Sequence, residues 1–382
     1  MSFKMNILTK QARKRLTVGI AALLASGCMF AGIIVNNTNS AWAGEYESCN
    51  GDLTACGDFY YQLADGTYLT AAGLKQFAND VSSNECKVVF DSNNAPSINK
   101  TDNDVCKKAY DSLIYNGNKG SRGKIYLHDD NGNSTVEFRM IGINHDDKAD
   151  GSGKAGLTFQ AVQIYNYPRT YVSSYTGSKW TGYPGQGING IYCNNVTYGK
   201  KDPISCLGND ANVNFGGWRD SQLRKSLNMK YSDGIYGSIW STLPQSLQDN
   251  VTPVKKIANN IGYGIYDSRG DSSTIDRIFL LSPQEAYGNV EKDGDSAKYE
   301  DYYAGSQYEF WKLNGVTVSS YSKLIMSTNS NNIDNGLSSG SYWWLRSPNS
   351  VSSITFAIVS YDGILSFSRA SSGYGVVPAF SF

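Results

Sequence analysis

Tyr342-Trp343-Trp344-Leu345-Arg346-Ser347-Pro348, followed further on by Gly373-Tyr374-Gly375-Val376-Val377-Pro378-Ala379-Phe380, is the stretch on which the fold turns. Side chains alternate across a strand. Adjacent tryptophans should therefore point to opposite faces, one entering a core while its neighbour stays near solvent or under a loop. Arg346 follows them in a strand expected to be interior. A planar guanidinium in that setting can stack on aromatic rings and pair with a carboxylate, either to meet a ligand or, as the favoured reading, to complete an internal hydrogen-bond network. Arg224 poses the same choice, and Asp276 and Glu285 are the candidate partners. Glu285 has a second possible duty, because Ser282-Pro283-Gln284-Glu285 has the spacing of a helix N-cap, a first-turn proline and a capping box.

Further strands are expected at 355–360, 364–367 and 375–380, and a buried strand at 276–281 leads into the Ser282 cap. Trp218, Leu223 and Leu227 predict a helix over 218–227. Leu243-Pro244 opens another through Leu247, and Pro253 starts a further turn. Upstream, 124–127 and 134–143 read as a hairpin across Asp130-Asn131-Gly132, with Val136, Phe138, Met140 and Gly142 alternating against Thr135, Glu137, Arg139 and Ile141. Residues 157–164 are another strand candidate. Apolar residues at helical spacing predict helices over 69–81 and 104–115, and the Asn/Asp/Ser-rich stretch between them reads as a loop. The chain thus divides into 1–43, a Cys-containing helical segment at 44–118, and a larger domain at 119–382 with a Tyr/Gly-rich insertion at 168–216.

Residues 1–43 read as an export signal. Lys4, Lys10, Arg13, Lys14 and Arg15 precede an uncharged apolar run from Leu16 to Val35, and Ala41-Trp42-Ala43 offers small residues for cleavage. That run is long enough to cross a bilayer, so an uncleaved N-terminal anchor is the alternative, and membrane contact is expected only through this segment. The expected location is secreted or at the cell surface. Residues 1–43 hold five of the 34 basic residues and none of the 34 acidic ones, so the remainder carries 29 Lys and Arg against 34 Asp and Glu, a net charge of −5. No clustered basic footprint is present, which argues against nucleic-acid binding. Cys49, Cys56, Cys86, Cys106, Cys193 and Cys206 form three sequence-local couples, so disulfides Cys49–Cys56, Cys86–Cys106 and Cys193–Cys206 are expected. A zinc site is disfavoured by the lack of Cys-x-x-Cys and by the distance of His128 and His145 from the cysteines.

Taken in order, the landmarks Trp218-Arg219-Asp220-Ser221-Gln222-Leu223-Arg224-Lys225-Ser226-Leu227-Asn228, Leu243-Pro244, 276–282 with Glu285, Trp343-Trp344-Leu345-Arg346-Ser347-Pro348 and Gly375-Val376-Val377-Pro378-Ala379-Phe380 are similar to the bacterial domain-of-unknown-function family 6273. The resemblance runs over about 123–382. It departs at Val377, where the family usually carries arginine. That family looks C-type-lectin-like and related to the fold group of formylglycine-generating enzymes. The resemblance implies an α+β domain in which early and late strands pair and the middle forms long loops, here preceded by the small disulfide-stapled helical segment.

Tyr171, Tyr175, Trp180, Tyr183 and Tyr192 in the insertion are the candidate binding residues, because aromatic faces stack on sugar rings and anchor protein partners. Trp218, Arg224, Asp276, Glu285, Trp343, Trp344 and Arg346 are the structural motif residues. His128-Asp129-Asp130-Asn131-Gly132-Asn133 alternates oxygen ligands as a calcium loop would but lacks the distal glutamate, so it reads as a hairpin turn; no metal or cofactor is expected. Arg269-Gly270-Asp271 is a short match without context. The histidines lie in acidic stretches that read as weakly structured, so no Ser-His or Cys-His arrangement is visible. The expectation is a non-catalytic exported bacterial binding module whose partner is a glycan or a surface protein. A secreted carboxylate-dependent hydrolase and a structural envelope protein are the alternatives, since carboxylate pairs leave no local signature.

Overall fold

Phe59, Tyr61, Phe138, Phe159, Phe380 and Phe382 are distant in sequence yet meet in one aromatic core, with ring centroids of neighbours 4.9 to 6.2 Å apart. They share one face of a sheet. The computed structural model describes residues 46–49, 53–118, 121–129, 132–164, 189–190, 217–228, 239–257, 273–288, 290, 305–318, 342–349, 352, 355–370, 372 and 374–382. All of these fall within one compact unit, Glu45–Phe382.

The sheet has the order β15-β7-β6-β5-β1-β2 and is antiparallel throughout. Its strands are β1 (Phe59–Gln62), β2 (Tyr68–Leu69), β5 (Arg122–Asp129), β6 (Gly132–Ile143), β7 (Leu157–Ala161) and β15 (Ala379–Ser381). The expected hairpin is present, with Asp129 opposite Gly132. Val136, Phe138 and Met140 are buried as their alternation requires, but Arg139 and Ile141 are buried too. The cause lies on the opposite face, where helix α8 (Glu309–Leu313) sets Phe310 and Trp311 under the Arg139 guanidinium, 5.1 and 6.0 Å away.

The segment 44–118 does not stand before this sheet as a helical piece. It supplies β1 and β2, and its helices α1 (Ala71–Ser83) and α2 (Asp104–Asn118) bury Leu74, Phe77, Val81, Ala109 and Leu113 in the common core. Thr70 caps α1 by accepting a hydrogen bond from the Gly73 amide at 3.2 Å. The stretch between the helices, expected as a loop, holds a hairpin of β3 (Val88–Phe90) and β4 (Pro96–Ile98). Disulfides Cys49–Cys56 and Cys86–Cys106 are formed as expected. The Cys193–Cys206 couple, the export signal, the Arg269-Gly270-Asp271 tripeptide and most of the insertion lie outside the described residues.

A second sheet, β13-β12-β11-β14-β8, is built from β8 (Asn189–Gly190), β11 (Trp343–Pro348), β12 (Thr355–Val359), β13 (Leu365–Arg369) and β14 (Tyr374–Gly375), with β11 and β14 parallel. Both Trp343 and Trp344 are fully buried, contrary to the expectation that one would approach solvent. All six residues of β11 are buried, so the strand is covered on both faces. A two-stranded ribbon of β9 (Val254–Ile257) and β10 (Ser273–Asp276) completes the strands that shape the site. Pro253 therefore leads into a strand rather than a helical turn.

The regular strand in the stretch expected as one strand at 276–281 ends at Asp276. The chain bends at Arg277 and Ile278 and then joins the two sheets: Phe279 bridges to Ala379 by backbone hydrogen bonds at 2.9 and 2.8 Å, while the Leu281 carbonyl accepts from the Arg346 amide at 2.9 Å. The expected helix over 218–227 is broken at Ser221 into α3 (Gly217–Asp220) and α4 (Gln222–Asn228), because the Ser221 hydroxyl accepts from the Arg224 amide at 3.0 Å and starts a new cap. Helices α5 (Ile239–Thr242) and α6 (Gln245–Gln248) follow, and Ile239 and Leu243 close over the aromatic face of the first sheet at Ile125, Val136 and Phe138.

Gly156 marks a close approach of α1 to the loop before β7, since a Cβ there would sit 1.8 Å from the Ala78 carbonyl oxygen. Backbone cannot swing aside as a flexible side chain can. Gly156→Ala should therefore destabilise the fold by about 1–3 kcal/mol in urea denaturation. An unchanged midpoint would contradict this packing.

Candidate functional site

Helix α7 (Pro283–Tyr287) begins as the sequence predicts. The Ser282 hydroxyl accepts from the Glu285 amide at 3.0 Å, and Glu285 Oε2 accepts from the Ser282 amide at 3.1 Å. The same carboxylate performs the second duty as well. Arg346 grips it through both terminal guanidinium nitrogens, Nη2 donating to Oε1 at 2.7 Å and Nη1 to Oε2. Arg346 also donates to the carbonyls of Leu280 at 2.9 Å and Ile257 at 3.2 Å, so one side chain holds β9, the connecting segment and α7. Gly305, at φ +108°, lies against Glu285, where a Cβ would come within 2.8 Å of Cγ.

Lys256 extends the cluster. Its ammonium donates to Glu285 Oε1 at 3.1 Å, to the Tyr308 hydroxyl at 2.7 Å and to Asp146 Oδ1, and it lies 3.9 Å from the Phe279 ring centroid. Asp146 also receives hydrogen bonds from the Tyr308 hydroxyl at 2.9 Å to each oxygen, from Thr158 at 2.6 Å and from Ser381 at 3.3 Å. Asp146, Lys256, Glu285, Tyr308 and Arg346 are all buried. At the margin His145 stacks on Tyr308 with ring centroids 3.9 Å apart, and its Nδ1 lies 3.2 and 3.3 Å from the two oxygens of Glu309.

Electrostatics follow from burial opposed by pairing. Burial alone would raise the Asp146 carboxyl, but the Lys256 ammonium, the nearby His145 and the hydrogen bonds from Lys256 and Thr158 hold it well below the usual carboxylate range. Glu285 follows the same logic: burial and Asp146 push upward, while Arg346 and Lys256 prevail and lower it. For His145 burial works against the charged ring, yet Glu309 and Asp146 overcome both burial and Lys256 and raise it. Burial and the two carboxylates lift the Tyr308 phenol far above its ordinary value, so it remains a donor.

A second buried knot explains the Trp218 motif. Asp276 accepts from Trp218 Nε1 at 2.8 Å, from Arg224 Nε at 2.6 Å and from the Thr274 hydroxyl at 2.7 Å. Asn228 then pins the connecting segment, accepting from the amides of Arg277 and Ile278 at 2.8 and 2.9 Å and donating to the Ile278 carbonyl at 2.7 Å. Arg224 with Asp276 and Arg346 with Glu285 are thus the pairs formed by the four candidates.

The candidate binding residues Tyr171, Tyr175, Trp180, Tyr183 and Tyr192 lie outside the described residues. His145 and Asp146 do not occupy a weakly structured stretch. Asn144 there adopts φ 49° and donates to the carbonyls of Val81 and Cys86 at 3.0 and 2.9 Å, while the Ala155 amide returns to the Asp146 carbonyl at 2.8 Å. Sequence reasoning missed Asp146, Lys256 and Tyr308. One signal was available for Lys256: β9 and β10 turn Val254, Lys256, Thr274 and Asp276 inward and leave Ile257 and Ile275 38% and 60% exposed, an inverted pattern that marks a polar interior. Among the described residues no group of three or more His, Cys, Asp or Glu side chains is placed to hold a metal, and no helix is long and apolar enough to cross a membrane.

Residues 202–382 match the model of a family described as a domain of unknown function, DUF6273. The match takes in both buried knots except Asp146, Thr158 and the His145 margin, and it begins well after the start of the first sheet. It supports the family for the C-terminal part of the chain. No curated protein and no solved structure matches the chain.

Because His145 binds its proton more tightly folded than unfolded, it contributes stability that is complete below the ordinary imidazole value of about 6.5 and lost as pH rises through the elevated folded value. Urea midpoints should fall as pH rises above the ordinary imidazole value, and His145→Gln should remove the slope. A wild-type profile that stays flat as pH rises above about 6.5 would contradict the His145–Glu309 pairing.

Proposed function

We propose that the protein is an exported, non-catalytic bacterial binding module of C-type-lectin-like character, which presents an aromatic surface and the Tyr-rich insertion to a glycan. The observation that carries this reading is a tyrosine cluster at the rim of the second sheet. Tyr342 and Tyr361 are 36% and 47% exposed, and Tyr342 stands 5.5 Å from Tyr361 and 5.1 Å from Tyr374 by ring centroid. Tyr374 is backed by the buried Trp344 at 5.1 Å, and its hydroxyl accepts from Ser368 at 2.9 Å. Rings held in this way lose little entropy on binding, and adjoining hydroxyls suit a sugar ring.

Strand β8 pairs Asn189 and Gly190, the described residues of the insertion, with Gly375 and Tyr374, which supports a shared binding role for the insertion and this cluster. Early and late strands share the first sheet, which supports the lectin-like reading. Export draws its support from the signal-like residues 1–43 and from the two disulfides, which belong in an oxidising compartment. For the hydrolase alternative the carboxylates Asp146, Asp276 and Glu285 are poor candidates, because all three are buried and so closed to an external substrate.

Glycan arrays probed with the disulfide-intact chain should give specific signals, which Tyr342→Ala and Tyr361→Ala each weaken about tenfold, a loss of roughly 1.4 kcal/mol. Signals untouched by either substitution would remove the cluster from the site. Binding confined to protein arrays would move the partner class to protein.

A further inference from the structure

Lys256 and Asp146 meet as a nucleophile and an acyl group in a buried cluster, with a second carboxylate in reach of the nucleophile. We propose that this pair is a covalent modification site, at which the Lys256 amine and the Asp146 carboxyl condense within the folded chain to an isopeptide amide, assisted by Glu285. The geometry supplies each part of the step. The Lys256 ammonium passes one proton to Asp146 Oδ1, which it contacts, giving a neutral amine beside a neutral carboxyl, and Glu285 Oε1, 3.1 Å from Nζ, accepts a hydrogen bond from that amine. The amine then attacks Asp146 Cγ. Tyr308 and Thr158, donating to Oδ2 at 2.9 and 2.6 Å, hold the negative charge of the tetrahedral intermediate on that oxygen. A second proton passes from the nitrogen, by way of Glu285, to Oδ1, which departs as water. One C–N bond forms, one C–O bond breaks, and –NH3+ with –COO− becomes –NH–CO– plus one water, with no oxidant or reductant required.

Burial favours the product. An ion pair withdrawn from water retains a large desolvation penalty, whereas an amide carries no charge. The cluster is partitioned so that condensation strands nothing: it removes one cation and one anion and leaves Glu285 gripped by Arg346. The amide N–H would keep Glu285 as acceptor, and its carbonyl would keep the hydroxyls of Tyr308 and Thr158. Held reactants also avoid the entropy cost of meeting, which in favourable intramolecular cases is worth effective concentrations of about 10⁵ M or more. The two residues are 110 positions apart in sequence, so the bond would fasten the β6–β7 connection to β9.

Mass spectrometry of the purified, folded full chain decides the matter once peptide mapping has fixed its N-terminus. The expected result is a mass short by one water in addition to the hydrogens lost to disulfides, persisting after reduction, together with a proteolytic fragment joining the Asp146 and Lys256 peptides. Lys256→Arg should restore the water. A folded wild-type chain of full mass, with the two peptides recovered separately, would overturn the proposal. So would a water deficit that maps to another site or survives in Lys256→Arg. Because the wild-type measurement stands by itself, a variant that fails to fold leaves the test intact.

Discussion

The Arg346–Glu285 pair is the constraint on which the rest of the structure depends. A guanidinium and a carboxylate this deep in a protein each lose several kcal/mol of hydration, and attraction returns that only when geometry is good and the spare donors and acceptors are filled. Here they are filled by backbone. The Leu280 and Ile257 carbonyls take the remaining guanidinium protons, and the Ser282 amide uses the carboxylate. Each of those groups belongs to a different piece of chain, so satisfying one charged pair fixes the ribbon, the connecting segment, α7 and β11 relative to one another.

The surrounding charges are balanced in the same way. Asp146 and Glu285 face Lys256 and Arg346, and Tyr308 joins the two halves by donating to Asp146 while accepting from Lys256. Of the buried cluster, Glu285, Arg346 and Lys256 lie within the residues matched by the family model, where Glu285 and Arg346 pair with each other and Lys256 also needs Asp146. Its counter-charge, Asp146, comes from the preceding part of the chain, as does the Thr158 hydroxyl. The two parts are therefore electrostatically incomplete without each other, and the shared sheet makes them sterically incomplete as well, since β15 pairs with β7. A covalent Lys256–Asp146 link would be the extreme form of the same dependence.

How much of this was legible in the sequence depended on whether the determining contacts are local. The Ser282 cap, the hairpin at β5 and β6, α1 and the two disulfides were readable because their partners lie within a few residues or a short loop. Arg346, Glu285, Arg224 and Asp276 were recognisable as interior polar residues, and both pairings lay within the options considered. Hidden were the contacts made by distant pieces of chain: the burial of both Trp343 and Trp344, the α8 ring pair under Arg139, and the meeting of Asp146, Lys256 and Tyr308. Asp146 sits among Asp147, Lys148 and Asp150, so composition alone suggested a solvated loop; the ordering comes from Asn144, which reaches back to the end of α1. Tyr308 had no local mark at all among 27 tyrosines.

The central claim is that Glu285 and Arg346 act as one unit. A double-mutant cycle by urea denaturation, with Glu285→Gln, Arg346→Met and both together, measures this directly. The account predicts that each single substitution costs about 3–5 kcal/mol by leaving an opposed buried charge. The double variant should lose much less than the sum, with a coupling of about 2–3 kcal/mol. Losses that simply add would mean that the two side chains serve the fold independently, and would contradict the account.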